Sequence, residues 1–441
     1  MDNVSTKQRR IAKLAKQSPQ MSFTSLAYMM DVAWLREAYR RTRRDGAVGV
    51  DGVTAEEYGK HLDENLQSLL DRAKSGSYRA PPVRRVHIPK GSGNETRPIG
   101  IPAFEDKVLQ RAVVMLLEPI YEEDFHEGSY GFRQKRSAHQ ALEALWKCSM
   151  NVAGGWILEV DIRKFFDTID HAHLRDFLRH RVRDGVLTRL IGKWLNAGVM
   201  EDGRITYPEE GSPQGGVVSP ILANVFLHYV LDRWFAEAVV PRMKGRVNLI
   251  RFADDFVMVF SSEEDARRVM EVIPKRFERY GLAVHPEKTR LVDFRRPRRH
   301  CNRRDGDSGD RKPETFDLLG FTHYWTTNYR GKLIIRRKTM KKRLARAIHS
   351  IRQWCRLNRH NPIPKQYEKL VQKVRGHYAY YGITGNAISL AKFHSEVERS
   401  WRFWLDRRNS ERSMTWDKYR RLLKRYPLPQ PRIVHSFVRT T

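Results

Sequence analysis

The chain has 441 residues, 40% of them hydrophobic, and carries 82 Lys+Arg against 51 Asp+Glu, a formal net charge of +31 with a pI near 10.2. This length suits about two to four domains with real cores, and so large a positive charge calls for a polyanion, nucleic acid first, with a ribosomal or membrane-surface protein as the blander reading. Cys148, Cys301 and Cys355 stand far apart without a Cys-x-x-Cys pair, which argues against a disulfide framework or a cysteine zinc site and fits a reducing cytoplasm; no apolar run approaches the ~18 residues of a membrane span.

In chain order, residues 1–21 are a basic stretch without the apolar segment of a secretory signal, read as a tail that touches RNA or is simply solvated. Residues 22–45 predict a helix with Leu26, Met30, Ala33, Trp34 and Ala38 on one face. After the Gly-rich break 46–54, Thr54 caps a second helix over 55–74, with Glu57 completing a capping box. Residues 82–102 alternate like two strands joined at Gly91 to Asn94, and helical patterns fill 104–121 and 136–150. Trp156 to Ile162 reads as a buried strand carrying an acid, Asp161, at its end. Helices are expected at 171–180, 186–197 and 218–235, with a loop at 211–216 before the last. Asn248 to Phe260 reads as strand, tight turn, strand, with Asp254 and Asp255 at the turn; a helix follows over 263–280 and short strands near 282–293 and 315–325. The charged insertion 295–314 predicts a mobile loop. Beyond Lys338 the pattern turns helical, basic and aromatic, which places a boundary near 335.

Three carboxylates stand out. Asp161, Asp254 and Asp255 are flanked by Val160, Ile162, Phe252 and Phe256, surroundings that make a bare carboxylate costly unless cations accompany it. Two divalent ions would remove that cost and supply nucleotidyl transfer, and oxygen-only ligands suit Mg²⁺. An Asp pair in a hairpin turn is also an ordinary turn composition; the order of the pieces is what favours chemistry.

That order resembles the group II intron-encoded reverse transcriptase/maturase family. Asp161-Ile162-Arg163-Lys164-Phe165-Phe166-Asp167 is similar to its first acid block, and Phe252-Ala253-Asp254-Asp255 to its second, with Phe252 where many relatives carry Tyr. Between them, Gly211-Ser212-Pro213-Gln214-Gly215-Gly216 running into Ser219-Pro220-Ile221-Leu222-Ala223-Asn224 resembles another block. Gly49 to Thr54, Arg97 to Pro102, Gly128 to Arg133 and Leu318 to Phe321 resemble four more, in the family's order over roughly residues 25–325.

The resemblance implies an α+β right-hand polymerase. It would have an N-terminal extension and fingers over 22–150, a βαββαβ-like palm over 151–335, a helical thumb/X domain over 336–410 and a short, DNA-binding tail over 411–441. It implies an RNA-directed DNA polymerase that uses two Mg²⁺ ions, deoxynucleotides, an intron or template RNA and a DNA primer or target, acts as a maturase, and works in the cytoplasm or on the nucleoid. The implied metal ligands are Asp161, Asp254 and Asp255, with Asp255 the weaker or indirect one. Phe166 matches a steric gate against ribose, although an ordinary core Phe fits too. Lys90 and Arg97 match a triphosphate clamp, apt because paired strands can aim both cations at one pocket; Lys90 is equally a solvated hairpin charge. Gln214 and Gly215 match a backbone approach to nucleotide and template, and Lys288 a site near the primer end or a plain surface charge.

Beyond the strands, Arg336, Arg337, Lys341, Lys342, Arg346 and Arg375 are candidates for gripping RNA, interleaved with aromatics that stack on bases or, for most of Tyr378, Trp401 and Phe403, form a core. No Cys/His cluster suggests an endonuclease, so a mobile-intron role would need priming without a second-strand cut. A domesticated role in phage defence or DNA repair, and a splicing cofactor without polymerase activity, are the alternatives.

Overall fold

The computed structural model describes residues 3–89, 96–201, 203–207, 215–297, 313–408 and 413–437, which leaves Lys90, Gln214, Cys301 and most of the charged insertion outside the described residues. The chain is mixed α/β and divides into two compact units, residues 1–141 with 158–291 and residues 142–157 with 292–441. No helix among the described residues is long and apolar enough to cross a membrane.

In the first unit, the expected basic tail is a helix, α1 (Val4–Gln17), which buries Ile11 and Ala15 and packs on the long α5 (Phe104–Asp124). The helix predicted over 22–45 is shorter: a 3₁₀ turn at Leu26–Met29 precedes α2 (Val32–Arg41), because the Asp31 side chain caps the Trp34 N–H and starts the helix there. Leu26, Met30, Trp34 and Ala38 are buried as expected, whereas Ala33 faces outward and Leu35 inward. The capping box is present in both halves, Thr54 to Glu57 and back, ahead of α3 (Ala55–Lys60); His61 breaks the predicted single helix from α4 (Leu62–Ser75).

Two sheets follow. The first runs β2-β1-β4-β5, from β1 (Val83–Pro89), β2 (Thr96–Ile101), β4 (Val199–Glu201) and β5 (Arg204–Thr206), with β1 antiparallel to β2 and parallel to β4. The second runs β6-β7-β3-β8, from β3 (Trp156–Val160), β6 (Val247–Phe252), β7 (Asp255–Phe260) and β8 (Arg290–Asp293). Helices α7 (His171–Arg179), α8 (Gly185–Leu195), α9 (Ser219–Leu227) and α10 (Glu263–Glu278) complete the unit, and α6 (Ala138–Asn151), the helix expected at 136–150, begins in it and ends in the second. The helix predicted to 235 stops being α at Leu227 and continues as π-helical turns at His228–Asp232 and Phe235–Val239. These wider turns, common at functional sites, leave His228 and Asp232 buried.

The second unit holds a three-stranded sheet, β11-β10-β9, from β9 (Phe316–Leu318), β10 (Phe321–Thr327) and β11 (Leu333–Thr339). Leu318 pairs with Phe321, so Leu319 and Gly320 make a two-residue turn with φ of +50° and +81°; such positive angles match strand twist and explain the glycine. β11 passes through position 335, so the basic helical segment begins only at α11 (Lys341–Leu357). With α12 (Ile363–Tyr381), α13 (Ala387–Asp406) and α14 (Trp416–Arg425) it closes around Leu370, Tyr378, Phe393 and Trp401. Phe403 departs from the expected core: it is 42% exposed, with the Arg407 guanidinium 3.6 Å from its ring centre.

Candidate active site

Phe252 pairs with Asp255 across the β6–β7 hairpin, so the loop is just Ala253 and Asp254. Ala253 sits at φ +58°, the left-handed region that a side chain with a Cβ enters at a cost. The surroundings hold it there. The Gly128–Phe132 segment lies along β6, with the Tyr130 N–H donating to the Arg251 carbonyl and the Arg251 N–H to that of Gly128, both at 2.8 Å. A Cβ on Gly131 would fall 2.2 Å from the Ala253 nitrogen, and one on Gly128 2.0 Å from the Leu249 oxygen. These glycines therefore exist so that one backbone can press on another. Arg133 anchors the segment through Glu122 and the His126 and Ser129 carbonyls.

Asp161 directly follows β3, the neighbour of β7 in the sheet. Its backbone carbonyl accepts from the His285 N–H at 2.8 Å. Burial raises the Asp254 carboxyl above the ordinary carboxylate range; the charge of Asp161 raises it too, while Arg97 and Arg251 pull it down. The two acids, distant in the chain, thus share one electrostatic neighbourhood, together with Arg97 on β2. Lys288 Nζ lies 3.2 Å from Asp161 Oδ2. Asp255 opens β7 and is exposed. Phe166 lies on the 3₁₀ turn Phe165–Asp167 just after Asp161, buried edge-on against Phe165 at 5.3 Å.

Among the described residues no three His, Cys, Asp or Glu side chains gather closely enough to hold a metal ion unaided. The donors at hand are Asp161 and Asp254, oxygen-only, with Lys288, Arg97 and Arg251 as the neighbouring cations. That set fits a hard divalent cation whose remaining ligands come from a substrate's phosphates and water, the usual arrangement for such ions.

Gly215 has φ +117°, and a Cβ there would meet the Gly100 oxygen at 2.3 Å. The close approach to β2 by itself requires glycine here. In the second unit Lys341, Lys342, Arg346 and Arg375 are exposed and Arg336 is half-buried. Arg337 corrects the sequence reading: on β11 it is 2% exposed, donates to the Leu142 carbonyl at 3.3 Å and packs over Phe437. Strand alternation turns it inward, so it is not a surface group for RNA.

Sequence reasoning missed the group beneath the turn. Arg251 and Asp232 are both fully buried and joined by two hydrogen bonds, Nε to Oδ1 at 2.8 Å and Nη2 to Oδ2 at 2.6 Å. The signal was present: an arginine inside the apolar run Leu249-Ile250-Arg251-Phe252 requires a buried partner.

Residues 88–323 match the family described as reverse transcriptase (RNA-dependent DNA polymerase). Protein YkfC of Escherichia coli K12 is 35% identical over 329 residues, 65% of this chain and 84% of that protein. The group II intron-encoded protein LtrA of Lactococcus lactis is 33% identical over 280 residues, 60% of this chain. A 91 kDa protein in the cob intron of Schizosaccharomyces pombe is 35% identical over 192 residues, 43% of this chain. The chain aligns with 46% of LtrA and 23% of the cob intron protein. The chain belongs to the reverse transcriptase family, the RNA-directed DNA polymerases, and its relatives include proteins encoded in introns.

Proposed function

We propose that the chain copies RNA into DNA by nucleotidyl transfer at Asp161 and Asp254, and that it binds the structured RNA of an intron as a maturase. The observation that carries the reading is that Asp161 directly follows β3 and Asp254 stands in the turn before β7, the neighbouring strand of the same sheet, with Lys288 Nζ 3.2 Å from Asp161 Oδ2. Asp161 and Asp254, with Asp255 at the edge, would hold two Mg²⁺ ions, which when bound activate the primer 3′-hydroxyl and steady the leaving pyrophosphate. Arg97, with Lys90, holds the triphosphate of the incoming deoxynucleotide by charge-assisted hydrogen bonds. Phe166 bounds the sugar pocket and excludes the 2′-hydroxyl. Gln214 and Gly215 border the nucleotide and template, and Lys288 the primer end.

In this reading the β1–β2 sheet and its helices are the fingers, the β6-β7-β3-β8 sheet the palm, and α11 to α13 the thumb. Exposed Lys341, Lys342, Arg346 and Arg375, with Arg336, track RNA phosphates. The test is primer extension on an RNA template with deoxynucleotides and Mg²⁺, with the Asp161→Asn and Asp254→Asn variants alongside. Extension by the wild type and none by the variants is expected; equal extension by all three removes the assignment.

A further inference from the structure

The buried polar group under the hairpin does more than fill the core. Arg251 Nη1 donates both to Asn224 Oδ1 and to the Ala253 carbonyl, each at 3.0 Å. Asn224 Nδ2 in turn donates to the Gly131 carbonyl at 2.8 Å. The guanidinium fork is filled from two sides: Asp232 fixes its plane through two bonds, and the remaining nitrogen reaches the carbonyl of the residue immediately before Asp254. Three stretches of chain therefore meet at one arginine: the π-helical turn with Asp232, helix α9 with Asn224, and the turn itself.

We infer that Arg251, Asp232 and Asn224 are positioning residues for the catalytic turn: they hold Ala253 in its left-handed conformation and so fix where the Asp254 carboxylate stands, which sets the affinity of the site for its divalent ions. The inference rests on the polymerase reading of Asp161 and Asp254. Its physical basis is directional. Replacing a fully buried ion pair by a well-packed apolar pair of like volume is often neutral or stabilising, so the worth of this pair lies in the direction it gives its hydrogen bonds. Ala253 receives one of them. Its φ of +58° is strained for alanine, and the Arg251 bond to its carbonyl, with Gly131 packed so close that a Cβ on it would fall 2.2 Å from the Ala253 nitrogen, allows the turn little other shape. Partners that orient metal-binding groups typically change metal affinity or activity by roughly 10–100-fold when removed.

The test uses the full chain carrying Arg251→Met together with Asp232→Leu, which removes both charges at once and leaves neither stranded. Asn224→Ala serves as a second, milder variant that takes away only the bridge between Arg251 and Gly131. Three quantities are measured: thermal stability, the Mg²⁺ concentration giving half-maximal primer extension, and Mn²⁺ affinity by electron paramagnetic resonance in a complex with RNA template, dideoxy-terminated primer and deoxynucleotide. The expected result is a folded protein with unchanged template–primer binding, a half-maximal Mg²⁺ raised roughly 10–100-fold, and a matching loss of Mn²⁺ affinity. Wild-type Mg²⁺ and Mn²⁺ requirements in a folded double variant overturn the inference. Should the double variant not fold, Asn224→Ala decides by the same two measurements. Failure of the underlying reading looks different: the wild type itself neither extends primers nor binds Mn²⁺ in an Asp254-dependent way.

Discussion

Lys288 Nζ stands 3.2 Å from Asp161 Oδ2, so a side chain that follows β7 and α10 in sequence meets the acid that follows β3. Both side chains are substantially exposed, and an ion pair of this kind contributes no more than about 1 kcal/mol to stability. Lys288→Gln should therefore leave the melting temperature nearly unchanged. A charge-assisted bond of about 1.5–3 kcal/mol to a reacting group is worth roughly 10–100-fold in rate. Single-turnover primer extension by Lys288→Gln should slow by that order while template–primer binding stays at the wild-type level. An unchanged rate would return Lys288 to the surface charges.

Asp254→Asn should abolish extension and leave RNA binding intact. Stability supplies an independent check. The Asp254 carboxyl is raised in the folded protein, first by burial and then by Asp161. A raised carboxyl favours the fold at low pH and loses that contribution as pH rises through the folded-state value. At pH 7 the charge is therefore a burden, and the neutral amide should melt at the same temperature as the wild type or higher. A marked drop would mean that Asp254 is held by partners for its charge, against the electrostatics of the turn.

Much of this site was legible because its elements are local. The aromatic-Ala-Asp-Asp turn, the strand leading to Asp161 and the Thr54–Glu57 capping box are read from neighbours a few residues apart, and each is present. What escaped depends on distance in the chain. Arg337 was grouped with surface cations because it stands in a basic run, but strand alternation on β11 decides its direction, and the inward slot is lined by Leu142 and Phe437. The contact of Gly215 with the Gly100 carbonyl, on a strand far away in the chain, could not be read from the loop's own residues. The π-helical turns that put Asp232 under Arg251 leave no mark in a periodicity of 3.6.

Phe166→Ala should let ribonucleotides compete with deoxynucleotides, since a smaller side chain opens space beside the sugar. Phe166 is 8% exposed and packs edge-on against Phe165, so the truncation also costs about 3–5 kcal/mol of stability. Phe166→Leu, nearer in volume, should cost less and show a smaller gain in ribonucleotide use. Parallel incorporation assays with both nucleotide types separate the effects: destabilisation lowers both rates together, while a gate changes their ratio. An unchanged ratio in both variants would leave Phe166 as a core residue only.

His323 is 1% exposed, stacks flat on Phe316 at 4.7 Å, and neither of its ring nitrogens has a hydrogen-bond partner among the described residues. Burial, and then the charge of Arg337, hold its pKa well below the ordinary 6.5. The folded protein keeps the ring neutral while the unfolded chain takes up a proton below about pH 6.5, so this residue withdraws stability as pH falls, by up to about 1.4 kcal/mol per pH unit. His323→Phe removes two unsatisfied nitrogens and the titration together. It should stabilise the protein by about 1–3 kcal/mol at neutral pH, and the gain should widen on going from pH 7.5 to pH 5. Melting curves of both proteins across that range test it. A gain that is constant with pH would show that the imidazole is not held neutral, and a loss at every pH would show that the ring nitrogens are satisfied after all.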